Sequence, residues 1–493
     1  MSSTSSKLVK GSLWLSVTRV IVNGLTTLST FILARYLTPA DFGLVSIATT
    51  LLLIVTSLTE LSLTQALVRH DSLDTSHLNT AWTLNALRGV IAFALFSLSA
   101  YPVANLYNDS RLVGIMLALG FSILLTGLVN PRLVVLQRQL IFRQEFILGV
   151  SQKLLGFVAS VIVAVVYHSY WALVIGLLTS QFVNIIISYW LLPFRPRFSL
   201  QRTRELLSFS IWLSAGQIVN TLNWRFDVLL VGKLLGSSAV GNYSVGSNLS
   251  TVATREAIAP LVQTVYPSFA GIKHDPARLR VAYQRVQTLI TAIALPAGIG
   301  MALVADRIVV LALGPNWSQA ILVVQVLASV FALQTLGSLV QPLGMAKGET
   351  RRLFLRDTQM FFVRIPIILV GLLSYGLIGV LIGRVVTGLL AACVNMMLVR
   401  EFINIPVLKQ ISANGRAISS VSVMAMVVVF VSGKLQSVSD VSTSILHLGL
   451  IVAAGGMAYV AANIILWFAR GRPSGPETEA INIAKKLMAG LKK

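Results

Sequence analysis

Apolar stretches of about 20 residues recur along the chain from Gly11 to Phe468, each long enough to cross a hydrocarbon core of about 30 Å as a helix. Bounded by their polar flanks, they fall at 11–35, 42–68, 78–101, 111–130, 146–167, 170–192, 206–232, 240–269, 281–304, 317–345, 357–374, 376–399, 417–433 and 442–469. The pattern predicts an all-α polytopic membrane protein of about fourteen transmembrane helices. Transmembrane barrels alternate over segments of about ten residues, and these runs do not. The first run follows Lys7 and Lys10. It is too long for a signal-peptide core and lacks a small-residue cleavage site, so it reads as the first span.

The pattern repeats internally. Laying Leu8–Ser46 over Leu206–Ser244 pairs Ser12 with Ser210, Trp14 with Trp212, Leu15 with Leu213, Ser16 with Ser214, Leu37 with Leu235, Gly43 with Gly241 and Ser46 with Ser244. Six expected spans separate the copies, so both run in the same direction. This predicts two pseudo-symmetric six-helix lobes, parallel repeats about an axis along the membrane normal, with a substrate site between two bundles that rock against each other. The expected organisation is an N-terminal lobe at 1–200, a C-terminal lobe at 201–404, two additional helices at 405–470 and a basic tail at 471–493.

Within the spans, polar positions keep helical spacing. Ser12, Ser16, Arg19, Asn23, Thr26 and Thr30 share one face of the first span, and Ser46, Thr50, Ser57, Glu60 and Thr64 one face of the second. The duplicated spans repeat the design with Ser210, Ser214, Gln217, Asn220, Thr221 and Asp227, then Asn248, Thr251, Arg255 and Glu256. Polar groups facing lipid are costly, so such stripes face a cavity or a neighbouring helix. Packing through small residues is an equal reading for the serines and threonines. The charges point to a lumen. Arg19, Arg255, Arg88 and Arg225 are candidate cations for an anionic passenger, because guanidinium forks match phosphate and carboxylate oxygens. Asn23, Gln217, Asn220 and Asn248 are candidate lumen polar residues, and Glu60, Asp227 and Glu256 candidates for ion coupling. Lys153, Arg364 and Arg384 also fall inside spans without an assigned role, and Arg285 reads as a snorkelling side chain. Prolines at 260, 267, 296, 342 and 366 are expected to kink their helices.

Composition agrees with the pattern: 493 residues are 55% hydrophobic and 11% charged, against roughly 25% charged for a soluble domain. The net charge of +22 would suggest nucleic acid in a soluble protein, but its location is topological. With both termini cytoplasmic, the external loops hold only Arg35, Arg111, Lys233, Arg307 and Lys434, and cytoplasmic segments outnumber them about five to one. No nucleic-acid partner is expected. The tail past Arg470 pairs an apolar face (Ile481, Ala484, Leu487, Met488, Leu491) with Lys485, Lys486, Lys492 and Lys493. It reads as a lipid-surface helix or a solvated tail.

Chemistry is conspicuous by its absence. Cys393 is the single cysteine and the five histidines (70, 77, 168, 274, 447) are scattered, so no disulfide, metal or cofactor is expected. There is no phosphate-binding loop, His-Glu-x-x-His or serine elbow, and no loop large enough for a catalytic domain. An enzyme is not expected, and the energy for transport must come from an ion gradient, the membrane potential or consumption of the passenger downstream.

The stretches LARYLTPADFGLVSIATT at 33–50, LQRQLIFRQ at 136–144, NWRFDVLLVGKLLGSSAVGNYSV at 223–245, YPSFAGIKHDPARLRVAYQ at 266–284 and LALGPNWSQA at 311–320 resemble the Wzx-type polysaccharide flippases of the multidrug/oligosaccharidyl-lipid/polysaccharide exporter superfamily, especially the branch exporting colanic-acid-like exopolysaccharides. The resemblance runs from about Lys7 to Glu401 and implies fourteen helices in two six-helix lobes plus two. It implies a bacterial inner-membrane protein that moves undecaprenyl-diphosphate-linked oligosaccharide from the cytoplasmic to the periplasmic leaflet by alternating access. Its expected partners are the lipid-linked oligosaccharide, the bilayer, H+ or Na+, and a polysaccharide polymerase and glycosyltransferases of the pathway. Related lipid II flippases use cationic lumen residues, and Arg19 occupies a comparable place in the first span. A drug/sodium antiporter of the same superfamily and a membrane glycosyltransferase or polymerase are the competing expectations. The first would prefer a more acidic lumen, and the second a large external loop.

Overall fold

The computed structural model describes residues 2–61, 63, 67, 73–138, 141, 143–435, 440–469 and 471, and for 2–13, 15, 16, 137, 138, 207–215, 260 and 263 it describes the backbone. The side chains of Ser12, Ser16, Ser210 and Ser214, residue Thr64, and the tail from 472 on lie outside these. The described residues are almost wholly helical, with no strand among them. Its helices are α1 (Ser2–Tyr36), α2 (Pro39–Thr59), α3 (Thr75–Leu98), α4 (Ala100–Tyr107), α5 (Arg111–Gly127), α6 (Leu133–Arg138), α7 (Arg143–Tyr167), α8 (Trp171–Leu191) and α9 (Thr203–Thr251). After a π-turn at Val252–Glu256 come α10 (Ala257–Ala270), α11 (Pro276–Leu303), α12 (Ala305–Ala312), α13 (Ser318–Gln334), α14 (Val340–Lys347), α15 (Thr350–Ile403), α16 (Val407–Ala413), α17 (Gly415–Lys434) and α18 (Val441–Ala469). Among the described residues 10 helices are long and apolar enough to cross a membrane. This is a multi-pass membrane protein.

The set does not map one-to-one onto the expected spans, because two long helices each contain a reversal. A straight α15 of 54 residues would measure about 80 Å, far more than a bilayer. It turns at Tyr375 and Gly376, where Gly376 takes φ 58 and ψ −135, a conformation that a Cβ would strain. The two arms then fold back so tightly that a Cβ on Gly379 would lie 3.0 Å from the Cα of Gly371 and would collide with its carbonyl. In α9 the break is Gly236 (φ 83, ψ 177), and the Tyr243 hydroxyl beyond it donates to the Asp227 carboxylate before it.

Local chemistry sets the other boundaries. Thr38 and Asp41 form a reciprocal cap at the start of α2, with Thr38 N–H donating to Asp41 Oδ2 at 2.9 Å and Pro39 entering the first turn. The same helix stops at Thr59 instead of running to 68 as the apolar stretch suggests. Thr56, Ser57 and Thr59 each turn their hydroxyls back onto carbonyls three or four residues earlier, which loosens a helix end. The eighth expected span is broken by the π-turn. Pro260 has no N–H for the carbonyl of Glu256, four residues back, and a widened turn accommodates the loss.

The chain divides into two compact units, Met1–Val245 and Gly246–Lys493. In the second, α17 and α18 pack on α11, and α18 also on α12, around a cluster that includes Leu295, Ala332, Val421, Met424, Val428 and Ile451. Arg307 also donates to the carbonyls of Ser432 and Leu435 at 3.0 and 2.8 Å, closing the last turn of α17.

The repeat is visible inside the first unit. A Cβ on Gly43 would stand 2.6 Å from the carbonyl carbon of Ser237, and one on Gly241 would stand 2.7 Å from that of Pro39. Gly43 corresponds to Gly241 in the repeat, and Pro39 to Ser237. The two copies therefore touch through equivalent atoms in both directions, as a pseudo-twofold requires.

Candidate functional site

Each unit carries its own group of intramembrane charges. In the second, the π-turn presents Arg255 toward α13, where its Nη2 donates to Gln334 Oε1 at 3.0 Å and its guanidinium lies 4.5 Å from the Phe331 ring centroid. Arg384, from the second arm of α15, lies 5.6 Å from the same ring. Arg364, from the first arm, is close enough for its charge and that of Arg384 to act on Arg255. Arg364 is 8% exposed and Arg384 4%. Along the helix, Arg384 lies about 12 Å and Arg364 about 18 Å from the Gly376 turn, so neither is at a helix end.

Two guanidinium groups thus pack against one aromatic ring, with a third near enough for its charge to act on Arg255. The ring face attracts cations, and guanidinium groups gathered in this way offer forked donors that match the oxygens of an anion. Toward the far end of the same helices, Arg356 donates to Asp357 Oδ1 at 2.7 Å, to Asn395 Oδ1 at 3.2 Å and to Gln341 Oε1 at 3.0 Å. Tied in this way, Arg356 is already neutralised by its neighbour.

In the first unit Arg19 and Asn23 sit half-buried one turn apart on α1. Arg88 is engaged by the end of α2: Nη2 donates to Thr56 O at 2.9 Å and Nε to Thr59 Oγ1 at 3.3 Å, beside Glu60, which caps that helix. Asp227 is 3% exposed and is fixed by the Tyr243 hydroxyl and the Val228 N–H. Gln217, Asn220 and Arg225 are exposed on α9, Asn248 is exposed near its end, and Glu256 is half-buried beside Arg255.

Of the residues singled out from the sequence, the fold joins Arg88 to Glu60 in the first unit, while Arg255 gains partners that the sequence left unassigned. Arg364 and Arg384 were visible as arginines within apolar runs. Phe331 and Gln334 carried no signal, because a phenylalanine and a glutamine in a span announce a site only once Arg255 is set against them.

Residues 32–322 match the family model described as polysaccharide biosynthesis protein, which is more than half of the chain. The chain belongs to the polysaccharide biosynthesis protein family. Within curated proteins it is 25% identical over 389 residues, 77% of this chain and 78% of the other, to the lipopolysaccharide biosynthesis protein WzxC of Escherichia coli (strain K12). It is 26% identical over 313 residues, 62% of this chain and 63% of the other, to the succinoglycan biosynthesis transport protein ExoT of Rhizobium meliloti (strain 1021). Among solved structures, the lipid II flippase MurJ in an inward closed conformation superposes with a TM-score of 0.72 at 13% identity, covering 94% of this chain and 99% of that one. An inward-facing multidrug MATE transporter superposes with a TM-score of 0.60 at 14% identity, covering 79% and 98%. The family therefore has the helical architecture of these transporters in this chain.

Proposed function

We propose that the protein translocates a lipid-linked oligosaccharide, carried on a diphosphate, from the cytoplasmic to the external leaflet by alternating access. The observation that carries this reading is the pair Arg255 and Arg384 against Phe331, with Arg364 near enough for its charge to act on Arg255. A diphosphate brings the opposite charge and the oxygen geometry that guanidinium forks bind. Support comes from relatives named for lipopolysaccharide biosynthesis and succinoglycan transport and from a fold shared with a lipid II flippase.

In this reading Arg255, with Arg364 and Arg384, holds the headgroup in the second unit, and Arg19 and Asn23 supply contacts in the first. Arg225, Gln217, Asn220 and Asn248 meet the sugars. Asp227 and Glu256 are the carboxylates available for coupling to a proton or sodium ion, and Arg88 with Glu60 stiffens the end of α2. Both termini are cytoplasmic in this reading, which the charge asymmetry supports. The protein makes and breaks no bond in its passenger, and a polymerase and glycosyltransferases act before and after it.

The test is Arg255→Ala combined with Arg384→Ala in cells whose own exporter is deleted, at matched membrane abundance. The expected result is loss of surface polysaccharide with the lipid-linked unit retained in the cytoplasmic leaflet. Wild-type export by that variant would overturn the reading, as would efflux of a cationic dye or sugar-polymer elongation by the purified wild-type protein.

A further inference from the structure

The segment between α8 and α9 is neither helical nor loose. Between 193 and 202 it carries Arg195, Arg197 and Arg202 and no carboxylate, and Arg204 and Glu205 follow in the first turn of α9. One edge is fastened to the first turns of α3. The N–H groups of Arg197, Ser199 and Arg202 donate to Asn79 Oδ1, Thr83 Oγ1 and Thr80 Oγ1 at 3.1, 3.0 and 3.4 Å. Arg132 Nη1 holds the carbonyl of Pro193 at 2.5 Å, and Phe194 and Leu206 join the apolar cluster under α3.

With the inner edge committed, the other side chains turn outward. Phe198 is 83% exposed and Leu200 60%, while Arg195, Arg197 and Arg204 are exposed beside them. The Phe198 ring meets Trp82 edge-on at 5.5 Å, so two rings form a ledge flanked by guanidinium groups.

Depth identifies what covers the ledge. Asn79 to Thr83 lie about 6 to 12 Å along α3 from its start at Thr75, and the headgroup layer of one leaflet is only about 5 to 7 Å thick. With α3 entering the leaflet at its first turn, a strap bonded at that level lies at the boundary between headgroups and acyl chains. There, aromatic and aliphatic side chains are stabilised and arginines reach back to phosphates.

We infer that residues 193–202, continued by Arg204 in the first turn of α9, form a strap that docks on anionic phospholipid headgroups of the cytoplasmic leaflet, with Phe198 and Leu200 in the acyl boundary and Arg195, Arg197 and Arg204 on the phosphates. The leaflet follows from the orientation proposed above. The docking itself needs no passenger, so it fails or holds separately from the transport reading.

The purified full chain, with Phe198→Cys in a Cys393→Ser background, is nitroxide-labelled and reconstituted into vesicles of phosphatidylcholine alone or with phosphatidylglycerol. The label should be accessible to oxygen and shielded from a water-soluble relaxant, more so with phosphatidylglycerol. In detergent, titrated phosphatidylglycerol should bind the triple variant R195Q/R197Q/R204Q more weakly by about fivefold for each arginine removed. The variant R195K/R197K/R204K, which keeps the charge, should bind as wild type. Size-exclusion elution and far-ultraviolet dichroism establish folding of each variant. A water-accessible label, unchanged binding by the neutralised variant, or shielding that appears only at high protein density and so reports a second copy of the chain, would each overturn the inference.

Discussion

Arg255 and Arg384 both pack against the Phe331 ring, and that arrangement separates charge from geometry. Lysine keeps the charge but loses the planar fork that stacks on the ring and reaches Gln334. Arg255→Lys is therefore expected to lower export about tenfold, in line with a partly desolvated cation–π contact, at unchanged membrane abundance. Surface polysaccharide yield measures it, and equal export by the lysine variant would mean that charge alone matters. A different residue-scale prediction concerns Asp440, which accepts from Thr443 N–H at 2.9 Å and from the Ser442 hydroxyl at the start of α18. These hydrogen bonds, Ser442 first, hold its pKa down at about 2, below the ordinary 3.8. A depressed folded-state pKa stabilises the cap fully above 3.8 and loses that stabilisation as pH falls through about 2. Hydrogen exchange at Thr443 and Ser444, corrected for intrinsic rates, should be flat at neutral and mildly acidic pH and accelerate only in that acid window. Asp440→Ala should be fast throughout.

The helical elements show where periodicity is informative and where it stops. Apolar runs located α5, α7, α8, α17 and α18 within a few residues, because lipid-facing helices must be apolar over their whole length. They also separated the two arms of α15 at Gly376. They could not end α2 at Thr59, where the decision belongs to three hydroxyls competing for backbone carbonyls. Nor could they show that Gly371 and Gly379 face each other, since that depends on the register of the hairpin. This register makes a prediction. Gly379→Leu should force the arms apart and destabilise the protein by about 1–3 kcal/mol, whereas Gly433→Leu, with open space around its Cα, should be tolerated. Thermal unfolding in detergent distinguishes them. A second element-scale test is the Tyr243–Asp227 contact that clamps α9 across Gly236. Tyr243→Phe should cost about 1–3 kcal/mol by leaving a buried carboxylate one donor short, and adding Asp227→Leu should recover part of that loss.

For the whole molecule, the duplication was legible because Gly43 and Gly241 recur at equal offset, and the structure supplies the reason they must be glycine. Each receives the backbone of the opposite copy at Ser237 or Pro39. The basic cluster of the second unit was only partly legible. Arg255 belongs to a polar stripe, but Arg364 and Arg384 stand alone in apolar runs, and no local spacing brings a π-turn and the second arm of a hairpin to one ring. The paired glycines make the last prediction. In the proposed orientation their contact lies at the external ends of the helices, so it closes that side, and a larger side chain at either position opposes closure. Because the contact is reciprocal, Gly43→Leu and Gly241→Leu should act alike. Overpacking of about 1–3 kcal/mol against a contact made only in the closed state shifts the population toward the open state by about tenfold. An impermeant maleimide added to intact cells should then label Asn23→Cys, in a Cys393→Ser background, faster in both leucine variants than with glycine present, and export should fall in both. An effect from one leucine and none from the other would mean that the two copies do not share this contact during transport. Equal labelling in all three proteins would show that the contact persists through the cycle and closes nothing.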